Sequence, residues 1–255
     1  MKETKIISFA NHKGGVGKTT TTASVGSILA ERGYKVLVVD MDAQANLTAS
    51  LLKQQPEESI YDALIGRSPL PIVSVTDNLS LVPSSERLAL CDMELVGAIS
   101  REKILEGLFE ELSPGRFNFI LIDCPPSLGV LTLNAITAST DVVVPLLAEV
   151  LPFNGLKMIS NFVNTIHSRL NKKAHITGVL ITRWESTNLS KSIEQSLRDR
   201  LQDVVFRTKI RKNVSVAEAP FESQNIVEYA PKSNGAADYK AFTEELLEKL
   251  KIVNQ

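Results

Sequence analysis

The stretch HKGGVGKTT, residues 12–20, decides the fold. It approaches the phosphate-loop pattern of a glycine, four residues, then Gly, Lys and Ser or Thr. Gly17, Lys18 and Thr19 supply the last three positions, but His12 stands where the first glycine belongs, and a second lysine, Lys13, sits inside the loop. The flanks support a phosphate loop. An apolar run, KIISFA (5–10), precedes it, and a helical pattern over 17–32 follows, with Val25, Ile28 and Leu29 on one side and Gly33 as its cap. Gly14, Gly15 and Gly17 let the backbone approach a ligand and turn N–H groups inward, and the helix N-terminus adds its positive end. Lys18 is expected to neutralise the terminal phosphates, with the Thr19 hydroxyl on Mg²⁺. The expected nucleotide contacts are Lys13, Gly14, Gly15, Val16, Gly17, Lys18, Thr19 and Thr20.

Outward from the loop, short β-rich apolar runs recur at 35–40, 79–83, 117–123, 141–147, 176–182 and 204–210. Several are apolar throughout, as strands covered on both faces are. Helical patterns separate them, as at 153–170. The alternation predicts an α/β fold, doubly wound, with a mostly parallel sheet and helices on both faces. The 255 residues are expected to form a single domain, 1–255, with an irregular excursion around a short helix at 53–78. Apolar content of 44%, charged content of 22% and a net charge of -1 describe an ordinary globular chain. No leader-like segment is read at the N-terminus, and a cytoplasmic location is expected. Cys91 and Cys124 are far apart and are read as reduced core residues.

Acids end two of the runs: Asp40 and Asp42 in VVDMDAQ, and Asp123 in FILIDCPPS. Carboxylates at strand ends beside a phosphate loop are expected to hold Mg²⁺ directly or through water.

KGGVGKTT resembles the deviant phosphate loop of the ParA/MinD family of ATPases, in which the first glycine is not required. DMDAQAN and LIDCPPSLG are similar to two further family segments. IRKNVSVAEAP (210–220) and YAPKSNGAADYKAFTEEL (229–246) resemble the C-terminal part of partition ATPases. The resemblance implies a Mg²⁺-dependent ATPase that forms a homodimer on ATP, with Lys13 reaching across to the partner copy's nucleotide. It implies Lys13, Lys18 and Asp42 as catalytic residues, Asp42 at the attacking water. It places Thr19, Asp40 and Asp123 near magnesium, and Arg211 and Asn213 near the adenine. It also implies non-specific duplex DNA, association with the nucleoid when ATP is bound, and a ParB-like centromere-binding protein as partners. Plasmid or chromosome partition is the implied role.

Between 169 and 212 there are eleven Lys and Arg against four acids, the footprint of a phosphate-backbone surface. On the helix expected at 189–201, Leu189, Ile193, Leu197 and Leu201 form the buried stripe, and Lys191 and Arg198 share the exposed face. Lys191, Arg198, Arg211 and Lys212 are the expected DNA contacts. The alternative is a MinD-like ATPase positioning a protein complex at a membrane. The last helix argues against it and for an interior role: Tyr239, Phe242, Leu246 and Leu250 form a stripe beside Glu244, Glu245 and Glu248.

Overall fold

The computed structural model describes residues 3–54, 56–149 and 152–252. Its strands are β1 (Lys5–Phe9), β2 (Val36–Asp40), β3 (Val73–Ser74), β4 (Leu79–Val82), β5 (Phe119–Asp123), β6 (Asp141–Leu147), β7 (His175–Trp184) and β8 (Val205–Arg211). They form one sheet in the order β3-β4-β2-β5-β1-β6-β7-β8. Every pairing is parallel except β3 with β4, so helical crossovers connect the strands. The seven apolar runs are all strands. The two-residue β3, inside the excursion at 53–78, is an addition to the expected set.

Alternate side chains of the central strands enter two cores. Leu37, Val39, Ile120 and Ile122 face one, and Val36, Val38, Phe119 and Leu121 face the other. Helices Val130–Thr137, Pro152–Arg169 and Asn188–Leu201 cover the first. Helices Lys18–Glu31 and Asn234–Lys249 cover the second, the latter through Tyr239, Phe242 and Leu246 as its stripe predicted. This is the doubly wound arrangement. Truncating one such buried ring to alanine costs about 3–5 kcal/mol. Cys91 and Cys124 are free thiols in the first core.

One helix departs from expectation. In Asn188–Leu201, Ile193 and Leu197 are buried, but Leu189 is 53% exposed. Arg198 is not on an open face. It is half-buried and bound to Glu194 at 3.0 Å, and Nη2 also donates to the carbonyl of Phe206 at 3.1 Å. The helix turns its Glu194–Arg198 side toward β8, which the spacing of charges alone does not disclose.

That contact serves the sheet edge. β8 carries a bulge: Val179 pairs with Val205, yet Ile181 pairs with Lys209. Backbone groups along the bulge are met by side chains. Glu245 accepts from the N–H of Arg207 (2.7 Å) and of Thr208 (2.8 Å), while Arg198 covers the Phe206 carbonyl. A buried backbone group left unmet costs about 1–3 kcal/mol. Farther along, Asp238 accepts from the Arg211 N–H at 3.0 Å.

Candidate functional site

Parallel register builds the site. Phe9 and Asp40 both lie level with Asp123, so the ends of β1, β2 and β5 present their loops at one edge. Open α/β sheets place ligands beyond the carboxyl ends of their strands. The loop after β1 is pinned at its start, where Asn11 Nδ2 donates to the Pro145 carbonyl at 2.7 Å and Asn11 Oδ1 accepts the Lys13 N–H at 3.1 Å. At its other end Thr182 Oγ1 donates to the Val16 carbonyl at 2.8 Å. Gly15 and Gly17 have φ of 71° and 88°, a region other residues enter at a cost, so the loop needs glycine at both places. His12 packs on helix Pro152–Arg169, where Gly155 leaves its ring the space a Cβ would take.

Helix Lys18–Glu31 begins directly on the loop. Thr21 and Thr22 turn their hydroxyls back to the carbonyls of Gly17 and Lys18. Thr19 and Thr20 instead line a cavity of about 660 Å³, together with Gly14, Gly15, Gly17 and Lys18. Asp42 and Pro126 border the same space, which extends to Val216, Phe221 and Asn225. Arg211 and Asn213 are not among the lining residues. Arg211 forks onto Asp238 at 2.6 Å, and Asn213 caps helix Val214–Glu218 by accepting the Ser215 N–H. That helix carries Val216 to the cavity wall.

The acids differ in their partners. Asp40 is fully buried, and its carboxylate accepts from Thr48 N and Oγ1 (2.8 and 2.7 Å) and from Asp42 N (3.1 Å). Burial nevertheless pushes its pKa up to about 6. Asp123 is 1% exposed, and neither of its oxygens has a geometric hydrogen-bond partner among the described residues. Burial first, and then the charge of Asp40, hold its carboxyl well above the usual carboxylate range. Thr19 and the Lys18 charge oppose that shift only in part, and a buried acid left so raised points to a ligand. Lys18 is also buried, and burial lowers its pKa, opposed chiefly by Asp123. Asp42 is half-buried, its Oδ1 accepting the Gln44 N–H at 3.0 Å. Ser84 joins this end of the sheet unforeseen, since its hydroxyl donates to the Asp42 carbonyl at 2.7 Å and its N–H donates to Thr48.

The loop lysines are linked. Lys18 Nζ donates to the Lys13 carbonyl at 3.2 Å, and Lys13 Nζ pairs with Glu149 at 2.6 Å. Among the described residues no cluster of three or more His, Cys, Asp or Glu could hold a metal alone. The donor set beside the loop, Thr19 and Asp123, suits a cation that keeps waters and takes its remaining ligands from a phosphate, as Mg²⁺ does.

The expected DNA residues lie elsewhere and are mostly engaged. Arg198 is held by Glu194, Arg211 by Asp238, and Lys212 by Glu185 at 3.0 Å. Lys191 is exposed and forms no ion pair with a described residue. Trp184 packs under Lys209, whose ammonium sits 3.8 Å from the ring centroid.

Comparison with known proteins agrees with this architecture. A family model described as an AAA domain matches residues 4–176. The chain is 40% identical to the sporulation initiation inhibitor protein Soj of Bacillus subtilis, over 95% of this chain and 98% of that protein. It is 36% identical to the chromosome-partitioning ATPase Soj of Thermus thermophilus, over 96% of each. Among solved structures it is similar to a cobyrinic acid a,c-diamide synthase from Mycobacterium smegmatis with bound ADP and magnesium. That match has a TM-score of 0.85 and 34% identity, over 97% of this chain and 96% of that one. One fold thus carries names of different activities, and the function has to be argued from the site.

Proposed function

Because the chain belongs to the ParA/MinD family of ATPases, we propose that it is a partition ATPase. It binds ATP with Mg²⁺ over the glycine loop, pairs with a second copy on ATP, and in that form holds duplex DNA without regard to sequence. Hydrolysis releases the pair and the DNA. The observation that carries the nucleotide reading is Asp123, a buried carboxylate beside Lys18 and Thr19 whose two oxygens find no hydrogen-bond partner among the described residues. A bound magnesium neutralises phosphate charge. Thr19 and Asp123 are suited to hold it, directly or through water, while Asp40, already engaged by Thr48, orients the loop that carries Asp42. Lys18 meets the terminal phosphates. The base end of the nucleotide is assigned to the arm of the cavity near Val216 and Asn225, with Asn213 supporting its wall as the cap of helix Val214–Glu218 and Arg211 held nearby by Asp238. A ParB-like partner and a role in moving a plasmid or chromosome belong to the same proposal. They rest on the partition proteins among the relatives.

Asp42 borders the cavity and is only half-buried, so it suits the task of orienting an attacking water. The Asp42→Ala variant is expected to bind ATP about as tightly as the parent and to accumulate as a pair. Turnover should fall by roughly 10²–10⁴-fold, the usual contribution of a positioned general base. Single-turnover hydrolysis at the parent rate excludes the assignment.

For DNA, Lys191→Ala is expected to weaken binding to all sequences alike and to reduce the salt slope by about one. Arg198→Ala is expected instead to lower the melting temperature, because Arg198 covers the β8 edge. Gel shifts at low salt and thermal scans separate the two variants. If the ATP-loaded parent binds no duplex but sediments with anionic vesicles, the MinD-like alternative replaces the DNA reading.

A further inference from the structure

Residue 13 is joined to both ends of the loop's charge system. Its carbonyl accepts from Lys18, and its ammonium lies 2.6 Å from a Glu149 oxygen just beyond β6. Both side chains of the Lys13–Glu149 pair are about half exposed, at 53% and 54%, so solvent and competing anions reach it. An ammonium bound to a carboxylate in its own chain is not at the same time available to a phosphate of another. A phosphate arriving at Lys18 draws that ammonium off the Lys13 carbonyl, which loosens the backbone of the residue whose side chain Glu149 holds.

We propose that Glu149 is a latch on Lys13. It restrains the lysine within its own copy, and its release sets the ATP concentration at which two copies pair. The proposal rests on the ATP-driven pairing proposed above and adds its regulation. Glu149 acts through Lys13 and touches no nucleotide, so it is a positioning residue. An exposed pair of this kind contributes modestly, so the threshold shifts without being abolished. Added salt screens the pair and moves the threshold in the same direction as its removal.

Light scattering against ATP concentration tests the latch. Glu149→Gln is expected to lower the half-maximal ATP concentration for pairing about two- to fivefold. Glu149→Asp should restore part of the parental threshold, and ADP affinity should stay unchanged. An unchanged or raised threshold in Glu149→Gln overturns the latch. A second readout needs no pairing: acylation of lysines by a soluble ester, followed by mass spectrometry. Lys13 should label about two- to fivefold faster in Glu149→Gln than in the parent, with other lysines unaffected. Equal labelling overturns the latch. Faster labelling in a protein that never pairs on ATP overturns the partition reading and keeps the Lys13–Glu149 contact as a fact of the monomer.

Discussion

Asp123→Asn is expected to raise the melting temperature of the magnesium-free protein at pH 8 and to lower magnesium-supported ATP turnover by roughly 10²–10³-fold. The first effect follows from burial. Asp123 has no hydrogen-bond partner among the described residues, and its pKa is held well above the ordinary value by desolvation and by Asp40. A charged carboxylate there costs more than the one to three kcal/mol, about, of an unmet neutral group. At about 2–4 °C per kcal/mol for a chain of this size, the neutral amide should gain roughly 4–8 °C. The second effect follows from loss of the charge that faces a cation, worth several kcal/mol in a phosphoryl transition state. The pH dependence has a definite sign. A carboxyl whose pKa is raised on folding stabilises the fold fully below its unfolded value. That contribution is lost as pH rises through the folded value. Asp40, pushed up to about 6, acts in the same direction. Magnesium-free parent protein should therefore melt at higher temperature at pH 6 than at pH 8. Asp123→Asn should flatten that dependence, and magnesium should flatten it in the parent. Calorimetric scans at the two pH values decide. A variant less stable than the parent at pH 8, or one with parental turnover, contradicts the assignment.

Lys18→Ala is expected to abolish tight nucleotide binding, with a loss of roughly 10²–10³-fold in affinity. Removing one partner of a desolvated charge pair costs about 2–5 kcal/mol. Lys18 is buried at the start of its helix, and its ammonium donates to the Lys13 carbonyl. The β/γ charge has no substitute there. Lys13→Ala provides the contrast. Its ammonium is exposed and turned to Glu149, so one copy should still bind nucleotide by calorimetry while pairing and hydrolysis are lost. Equal nucleotide affinities for Lys18→Ala and the parent would remove Lys18 from the phosphate site.

The parts of this molecule that were legible beforehand are those written in local pattern. Uniformly apolar runs announce strands covered on both faces, and the glycines of 14–17 announce a loop whose φ angles the structure bears out at Gly15 and Gly17. The strand β3 escaped because two residues carry no period. Arg198 was misplaced for a related reason. Spacing along a helix gives a side but not what that side meets, and here it meets Glu194 and an edge strand. The inequality of Asp40 and Asp123 was also invisible. Both end apolar strands, but Thr48 reaches only the first, through a fold-back of eight residues. Glu149 lies 136 residues from Lys13, and no local signal connects them.

The stitched edge of β8 also has a history in time. Arg198, which covers the Phe206 carbonyl, precedes the strand in the chain, but Glu245 follows Arg207 by 38 residues. At about 5–20 residues per second of synthesis, that interval is roughly 2–8 s. Through those seconds a nascent chain has made its last strand without the carboxylate that accepts the Arg207 and Thr208 N–H groups, and an open edge is a template for neighbouring chains. The ribosome's pace across codons 208–245 thus becomes a determinant of how much protein reaches the folded state, and slowing it there should favour aggregation over yield.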